Sequence, residues 1–351
     1  MSSAPEIIRL QCANLHLELI PELGAAISAF YSLDELSDDK HNSLEKQGTA
    51  TSCSQDNRHQ QDGAFGTQDK LVSHHVRFDY LRPATAPAIA ARQVSEMASF
   101  LMAPWAGRIR HGQFHYQGQK IVYPSADPHQ PHSMHGFSRD QAWTVVERQE
   151  QLEQSSVLIE YRHLASQEWP FSFLLQQRYT LNAQGVLIEL EVQNQGENMM
   201  PFGFGHHPFY PCDAQTIVQA EVGQAWIGDH EVMPIALQEH PVQAELAQGL
   251  RVKSAEHDTV FVDWQHWARI IWPASGRALK MTASKPQDFF VLYSPAQEDW
   301  FCAEPFANVT DSFNLRERFA RRWIGGVDMA SGERLTSWFR LSPESLSPDC
   351  A

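Results

Sequence analysis

Apolar and polar residues alternate along much of this chain with a period of two. Leu15, Leu17 and Leu19 are interleaved with His16 and Glu18, and Val186, Ile188, Leu190 and Val192 with Leu187, Glu189, Glu191 and Gln193. That period sends one set of side chains to a buried face and the other to a wetter one, so both segments are predicted strands. The runs 157–162 (VLIEYR), 171–181 (FSFLLQQRYTL), 289–294 (FFVLYS) and 335–342 (LTSWFRLS) read the same way. Turn-forming clusters separate them: Asn-Ala-Gln-Gly at 182–185, Pro-Ala-Ser-Gly at 273–276 and Ser-Gly at 331–332. Helical periodicity is scarce, and its best short instance is 312–322 (SFNLRERFARR), a helix or else a loop. No repeat of fixed period appears, which argues against a propeller. Many strands joined by short turns predict an all-β protein of stacked antiparallel sheets.

One stretch breaks the pattern. Residues 34–75 are polar with few large apolar side chains. They bury too little to offset the entropy of ordering, so they read as a flexible polar surface insertion within a single domain spanning 1–351. A lid over a site is the functional alternative and ranks below it.

Composition narrows the choice of partners. With 42% hydrophobic residues the chain is not a disordered one. Asp and Glu number 42 against 27 Lys and Arg, a net charge of −15. Such a surface repels phosphate backbones and anionic lipid, so nucleic acid and membranes are not expected partners. No apolar run is long enough for a bilayer, and MSSAPEIIRL lacks the basic-then-apolar pattern of a secretory signal. Cys12, Cys53, Cys212, Cys302 and Cys350 are scattered, odd in number and free of Cys-x-x-Cys pairs. That usage fits reduced thiols and a cytoplasmic location.

Candidate chemistry falls in five places. These are PWAGRIRHGQFHYQG (104–118) with Arg108; HQPHSMHGFSRDQAW (129–143) with His129, His132 and His135; FGFGHHPFYP (202–211) with His206 and His207; HDTVF (257–261); and FCAEPF (301–306) with Glu304. Each also has an ordinary structural explanation: a surface ion pair, a solvated loop, a packed turn, a strand end. The histidines raise a metal site as a possibility. Residues three apart on a strand face opposite ways, however, so they would converge only on a loop, and no His-Glu-x-x-His helix or Cys/His grid is present.

Taken in order, these segments resemble the aldose 1-epimerase (galactose mutarotase) family over most of the chain. IRLQCANLHLELIPELGAAISAF and DYLRPA (79–84) resemble its opening strands. WAGRIRHGQFHYQG resembles its Asn-Arg-Ile…Gly-x-Phe…Gly block, MHGF…W (134–143) its Leu-His-Gly…Trp block, and GHHPFY its Gly-x-His-Pro-Tyr-Phe block. FCAEPF…Asn314 resembles its Cys-x-Glu-Pro…Asn block, and GVDMASGERLTSWF (326–339) its closing strand pair. The resemblance implies a large galactose mutarotase-like β-sandwich. By the same resemblance Glu304 matches the catalytic carboxylate and His207 the catalytic imidazole. Arg108, His135 and Asp258 match sugar-binding residues. Three positions depart from the family pattern: Gly107 stands for Asn, Phe137 for a second Gly, and His206 for the Asn before the catalytic His. They touch the pocket wall and bear on which sugar fits rather than on the reaction.

The implied reaction interconverts α and β anomers of an aldose by opening and reclosing the ring. It needs one group to take the O1 proton, here Glu304, and one to protonate the ring oxygen, here a protonated His207. No metal or organic cofactor is required. Arg108 offers a fork of donors to sugar hydroxyls, and Asp258 accepts from them. The expected partner is a small-molecule aldose, and the chain a monomer or homodimer. A hexose-6-phosphate epimerase would need a basic pocket, to which Arg110 and Arg139 are candidate contributors. A carbohydrate-binding relative without turnover would have no need of an acid–base pair.

Overall fold

The computed structural model describes residues 5–35, 75–125, 127 and 129–346. Where the sequence alternates, the backbone is strand: Leu15–Ile20, Gln154–His163, Phe173–Asn182, Gly185–Asn194, Phe289–Ser294 and Arg334–Ser345. The turn at 182–185 closes a tight hairpin in which Asn182 pairs with Gly185. Two large antiparallel sheets dominate. One has nine strands, in the order 144–150, 154–163, 173–182, 185–194, 334–345, 277–283, 267–272, 217–220, 250–251. The other has eight and runs 234–238, 225–228, 257–261, 289–294, 300–306, 205–206, 101–102, with 209–211 also paired to 300–306. A four-stranded sheet formed by 8–12, 15–20, 26–35 and 75–79 completes the architecture. The fold is all-β, of the kind the alternation predicts.

The eight-stranded sheet is the one that matters for chemistry, because both its faces are occupied. Phe261, Phe290, Leu292, Phe301 and Ala303 belong to the main core. Their neighbours of opposite parity, Val260, Val291, Tyr293, Cys302 and Phe306, belong to a second, smaller apolar cluster. Alternation along three adjacent strands thus builds two layers from one sheet. Asp258 and Glu304 share parity with this second set, so both carboxylates stand on the same face.

Helix content is low, and the helical expectation for 312–322 holds only in part. Ser312–Leu315 and Arg321–Ile324 are separate single turns. Ser312, Phe313 and Leu315 are buried, a spacing that does not form one helical stripe. A two-turn helix at Val242–Gln248 was not expected, since its only buried side chains are Val242 and Leu246. The insertion read at 34–75 begins and ends in strand: Asp34 pairs with Val76 and Glu35 with His75. Residues 36–74 lie outside the described residues.

Candidate active site

Glu304 stands on the strand Trp300–Phe306, near the middle of the eight-stranded sheet, opposite Val291 of the next strand. One strand further, Asp258 pairs with Tyr293. On the other side, residues 205–209 thread between this strand and the segment 98–102. Gly205 pairs with both Met102 and Phe306, the His207 N–H donates to the Phe100 carbonyl at 3.0 Å, and the Phe209 N–H to that of Ala98 at 2.9 Å. The strand register therefore decides between the two adjacent histidines. His207 faces the cavity, whereas His206 turns inward and stacks on Phe339 with ring centroids 4.9 Å apart.

Arg108 and His135 come from two short segments that pair Arg108 with Met134. The His135 N–H donates to the Gly107 carbonyl at 2.8 Å, and the Gly107 N–H donates back to His135 Nδ1 at 3.3 Å. That bond makes Nδ1 an acceptor and leaves Nε2 to carry the proton. Gly107 has φ +71°, and a Cβ there would lie 2.6 Å from Thr310 Oγ1. Gly136 has φ +65°, and its Cβ would lie 2.0 Å from the Ala103 carbonyl oxygen. Gly136, hemmed in by backbone, demands glycine, whereas at Gly107 the nearest obstacle is a side-chain hydroxyl. Asn308 ties the arm to the Glu304 strand: its side chain accepts from the Ala106 N–H at 3.1 Å and donates to the Ala106 carbonyl at 3.0 Å.

Glu304, His207, Arg108, His135 and Asp258 all line one cavity of about 580 Å³, a size typical of small-molecule sites. Glu304 Oε2 lies 3.7 Å from His207 Nε2. The His207 ring is held between aromatics, 4.9 Å from Phe100 and 4.6 Å from Phe209, and meets His135 edge-on at 5.3 Å. His132 also lines the cavity and accepts from the His111 N–H at 3.0 Å, but His129 is exposed outside it. The three histidines of that loop therefore do not gather. Among the described residues, the side chains that do converge as potential metal ligands are His207, Cys302 and Glu304.

Burial governs the electrostatics. It pushes the Glu304 carboxyl well above the usual range, and the neighbouring Asp258 adds to the effect. Burial pulls His207 down to about 3, helped by the cations of Arg139 and Arg82. Burial also raises Asp258, opposed by Arg108, and lowers His135 well below the ordinary imidazole value. Burial thus favours the uncharged form of the pair, with the proton on Glu304 rather than on His207. The sequence reading has that proton on His207. The total on the pair is the same, and burial favours Glu304 as its resting place.

The aldose 1-epimerase family profile matches residues 71–342. The chain belongs to the aldose 1-epimerase family. YphB, an uncharacterized protein of Escherichia coli K12, is 26% identical over 276 residues, 76% of this chain and 89% of its own. YihR of the same organism is 25% identical over 223 residues, 61% and 71% of the two chains. Among solved structures, a galactose mutarotase-like protein from Clostridium acetobutylicum superposes with a TM-score of 0.78 at 16% identity, covering 97% of this chain and 96% of the other. A GalM/aldose epimerase homologue from C. elegans gives 0.71 at 15% identity, covering 98% and 100%. These likenesses establish the fold.

The cavity also holds residues to which the sequence assigned no role: Phe100, Phe209, Tyr293 and Trp300 supply its aromatic wall, and Arg82 lines it together with Arg139, the candidate phosphate contact. Arg82 lies over Phe209 with its guanidinium carbon 4.2 Å from the ring centre, and Arg139 lies over Phe100 at 5.3 Å. Period-two parity with Glu304 along 300–306 would have pointed to Trp300. Nothing local marks Phe100, which reaches the site only through its pairing with the His207 segment.

Proposed function

We propose that this protein is an aldose 1-epimerase that interconverts the α and β anomers of an unphosphorylated hexose. The observation carrying this reading is the buried Glu304–His207 pair, 3.7 Å apart at the wall of a sugar-sized cavity. O1 and the ring oxygen are bonded to the same carbon, so the two groups serving them must be close neighbours. The pair needs one proton between its members, and either buried arrangement supplies it. A hydroxyl donating to Glu304 favours the carboxylate. Substrate binding then draws the proton toward His207, leaving Glu304 as base for O1–H and His207 as acid for the ring oxygen. Rotation about C1–C2 and reclosure with the roles exchanged give the other anomer. Positioned proton transfer of this kind contributes about 10²–10⁴-fold. Arg108, Asp258 and His135 would bind the hydroxyls, and the aromatic wall would meet the apolar ring face.

The charge pattern favours a neutral sugar over a phosphorylated one. Arg82 stands 3.9 Å from Glu96, and Arg139 3.6 Å from Asp140. Arg108 faces Asp258. Arg110 is held away from the cavity among Asp229, Glu231 and Asp311, at 3.4, 3.8 and 3.8 Å. Each of these cations already has a carboxylate near it, although Arg139 Nε makes no hydrogen bond, and a phosphate dianion would have to compete with those carboxylates. Polarimetry on freshly dissolved α-glucose and α-galactose, with the 6-phosphates in parallel, tests the reading. Faster rotation change with the free sugars is expected. Acceleration confined to the phosphates would overturn the substrate class, and none with any aldose would overturn the activity.

A further inference from the structure

Cys302 has no part in the chemistry above, yet it lies beside the residues that do. We propose that Cys302, His207 and Glu304 form a binding site for a thiophilic divalent cation of the zinc type, whose occupancy blocks the acid–base pair. The binding half of this stands on geometry alone; the inhibition rests on the function proposed above.

Cys302 and Glu304 are two apart on one strand, so their side chains leave the same face. Phe209, two residues after His207, pairs with Cys302 across the ladder. The ligand atoms of the three residues all lie within 4.8 Å of one another. Tetrahedral zinc, with bonds of about 2.3 Å to sulfur and 2.0 Å to nitrogen, sets a sulfur–nitrogen separation of about 3.5 Å, so the ligand atoms complete the site by closing by up to about 1.3 Å. Thiolate, imidazole and carboxylate form a mixed set suited to zinc rather than to magnesium or calcium. All three residues are more than nine-tenths buried. Glu304 Oε2 and His207 Nδ1 have no hydrogen-bond partner, so coordination competes with no existing bond at the carboxylate. His207 and Glu304 line the cavity, and Cys302 belongs to the apolar cluster whose Phe100, Phe209 and Val291 also line it. A cation held by the three would therefore sit against the sugar space. A dication displaces the protons of the thiol and the carboxyl, and the resulting complex is neutral. That neutrality lets it sit near Arg82 and Arg139 without an uncompensated buried charge.

Cobalt(II) titration of the full chain reads the site directly, with zinc competition followed by calorimetry. One cobalt per chain is expected, with a thiolate-to-cobalt charge-transfer band that zinc abolishes. Cys302→Ala should remove the band and weaken zinc binding by about tenfold or more. Its polarimetric rate, referred to its own metal-free rate, should lose sensitivity to zinc in the same proportion. If the alanine variant does not fold, Cys302→Ser, nearly equal in size, carries the same expectation. A band that survives both substitutions places the metal on another thiol and overturns the site, as does a parent chain showing no thiolate band. The band and the sugar assay are read separately. A chain with the band but no activity refutes the epimerase reading alone, and an active chain without the band refutes the metal site alone.

Discussion

Arg139 shows how a single side chain tunes a neighbour it does not touch. Its guanidinium lies over Phe100, whose ring stacks on His207. After burial itself, that cation is the largest influence holding the imidazole down to about 3. Removing it in Arg139→Gln should let His207 rise toward its ordinary value, moving the acid limb of the kcat/KM profile up by roughly half to one pH unit. Arg139→Lys should keep the parent limb. A profile unchanged in the glutamine variant would show that Arg139 acts only through packing. Glu304, His207, Arg108, His135 and Asp258 were singled out through the ordered blocks that resemble the family, and all five line one cavity. The sequence could not tell where the proton rests, since that depends on burial created by residues as distant as Phe100 and Phe209. Arg139 itself was legible only as a candidate phosphate contact, and its tie to Asp140 at 3.6 Å argues for a different role.

Between residue and fold lie the short arms that carry Arg108 and His135. Their shape depends on left-handed backbone at Gly107, His135 and Gly136. Gly136→Ala would force a Cβ to within 2.0 Å of the Ala103 carbonyl oxygen at φ +65°. We expect a loss of at least about 2 kcal/mol in urea unfolding, from the left-handed backbone and the clash together. In the folded fraction KM should rise more than kcat falls, because the displaced His135 is one of the proposed sugar contacts. A variant as stable as the parent would mean that the arm yields. Strand positions were legible from alternation, and 289–294 coincides with the observed strand end to end. These arms were not, because Arg108–Ile109 and Ser133–Met134 are too short to show a period. The segment 312–322, read as a helix or else a loop, is two single helical turns, and its buried residues Ser312, Phe313 and Leu315 form no helical stripe.

Across the whole molecule, one two-faced sheet separates a large apolar core from the layer that bears the site. A fold that buries imidazoles this way depends on pH in a defined direction. Burial lowers His206 to about 3 from an ordinary 6.5. Below 6.5 the unfolded chain binds a proton there that the folded chain refuses, so this contribution to stability falls as pH drops and is exhausted near 3. His206 touches Phe339 and not the cavity. His206→Phe should therefore remove about 1.4 kcal/mol per pH unit from the slope of stability between pH 6 and 4, measured by urea unfolding at each pH. An unaltered slope would show that His206 protonates without unfolding. The sheet architecture was readable from sequence because alternation repeats in so many segments. The approach of Glu304 to His207 was implied by the family resemblance and not by alternation, because it depends on how 205–209 is threaded between two other segments. That contact is also the quickest to test. Rates of anomer exchange at equilibrium, followed by magnetisation-transfer NMR on glucose or galactose, should fall by about 10²-fold or more in both Glu304→Gln and His207→Asn while the folded spectra persist. Parent-like exchange in either folded variant would contradict the acid–base pair on which the proposed function stands.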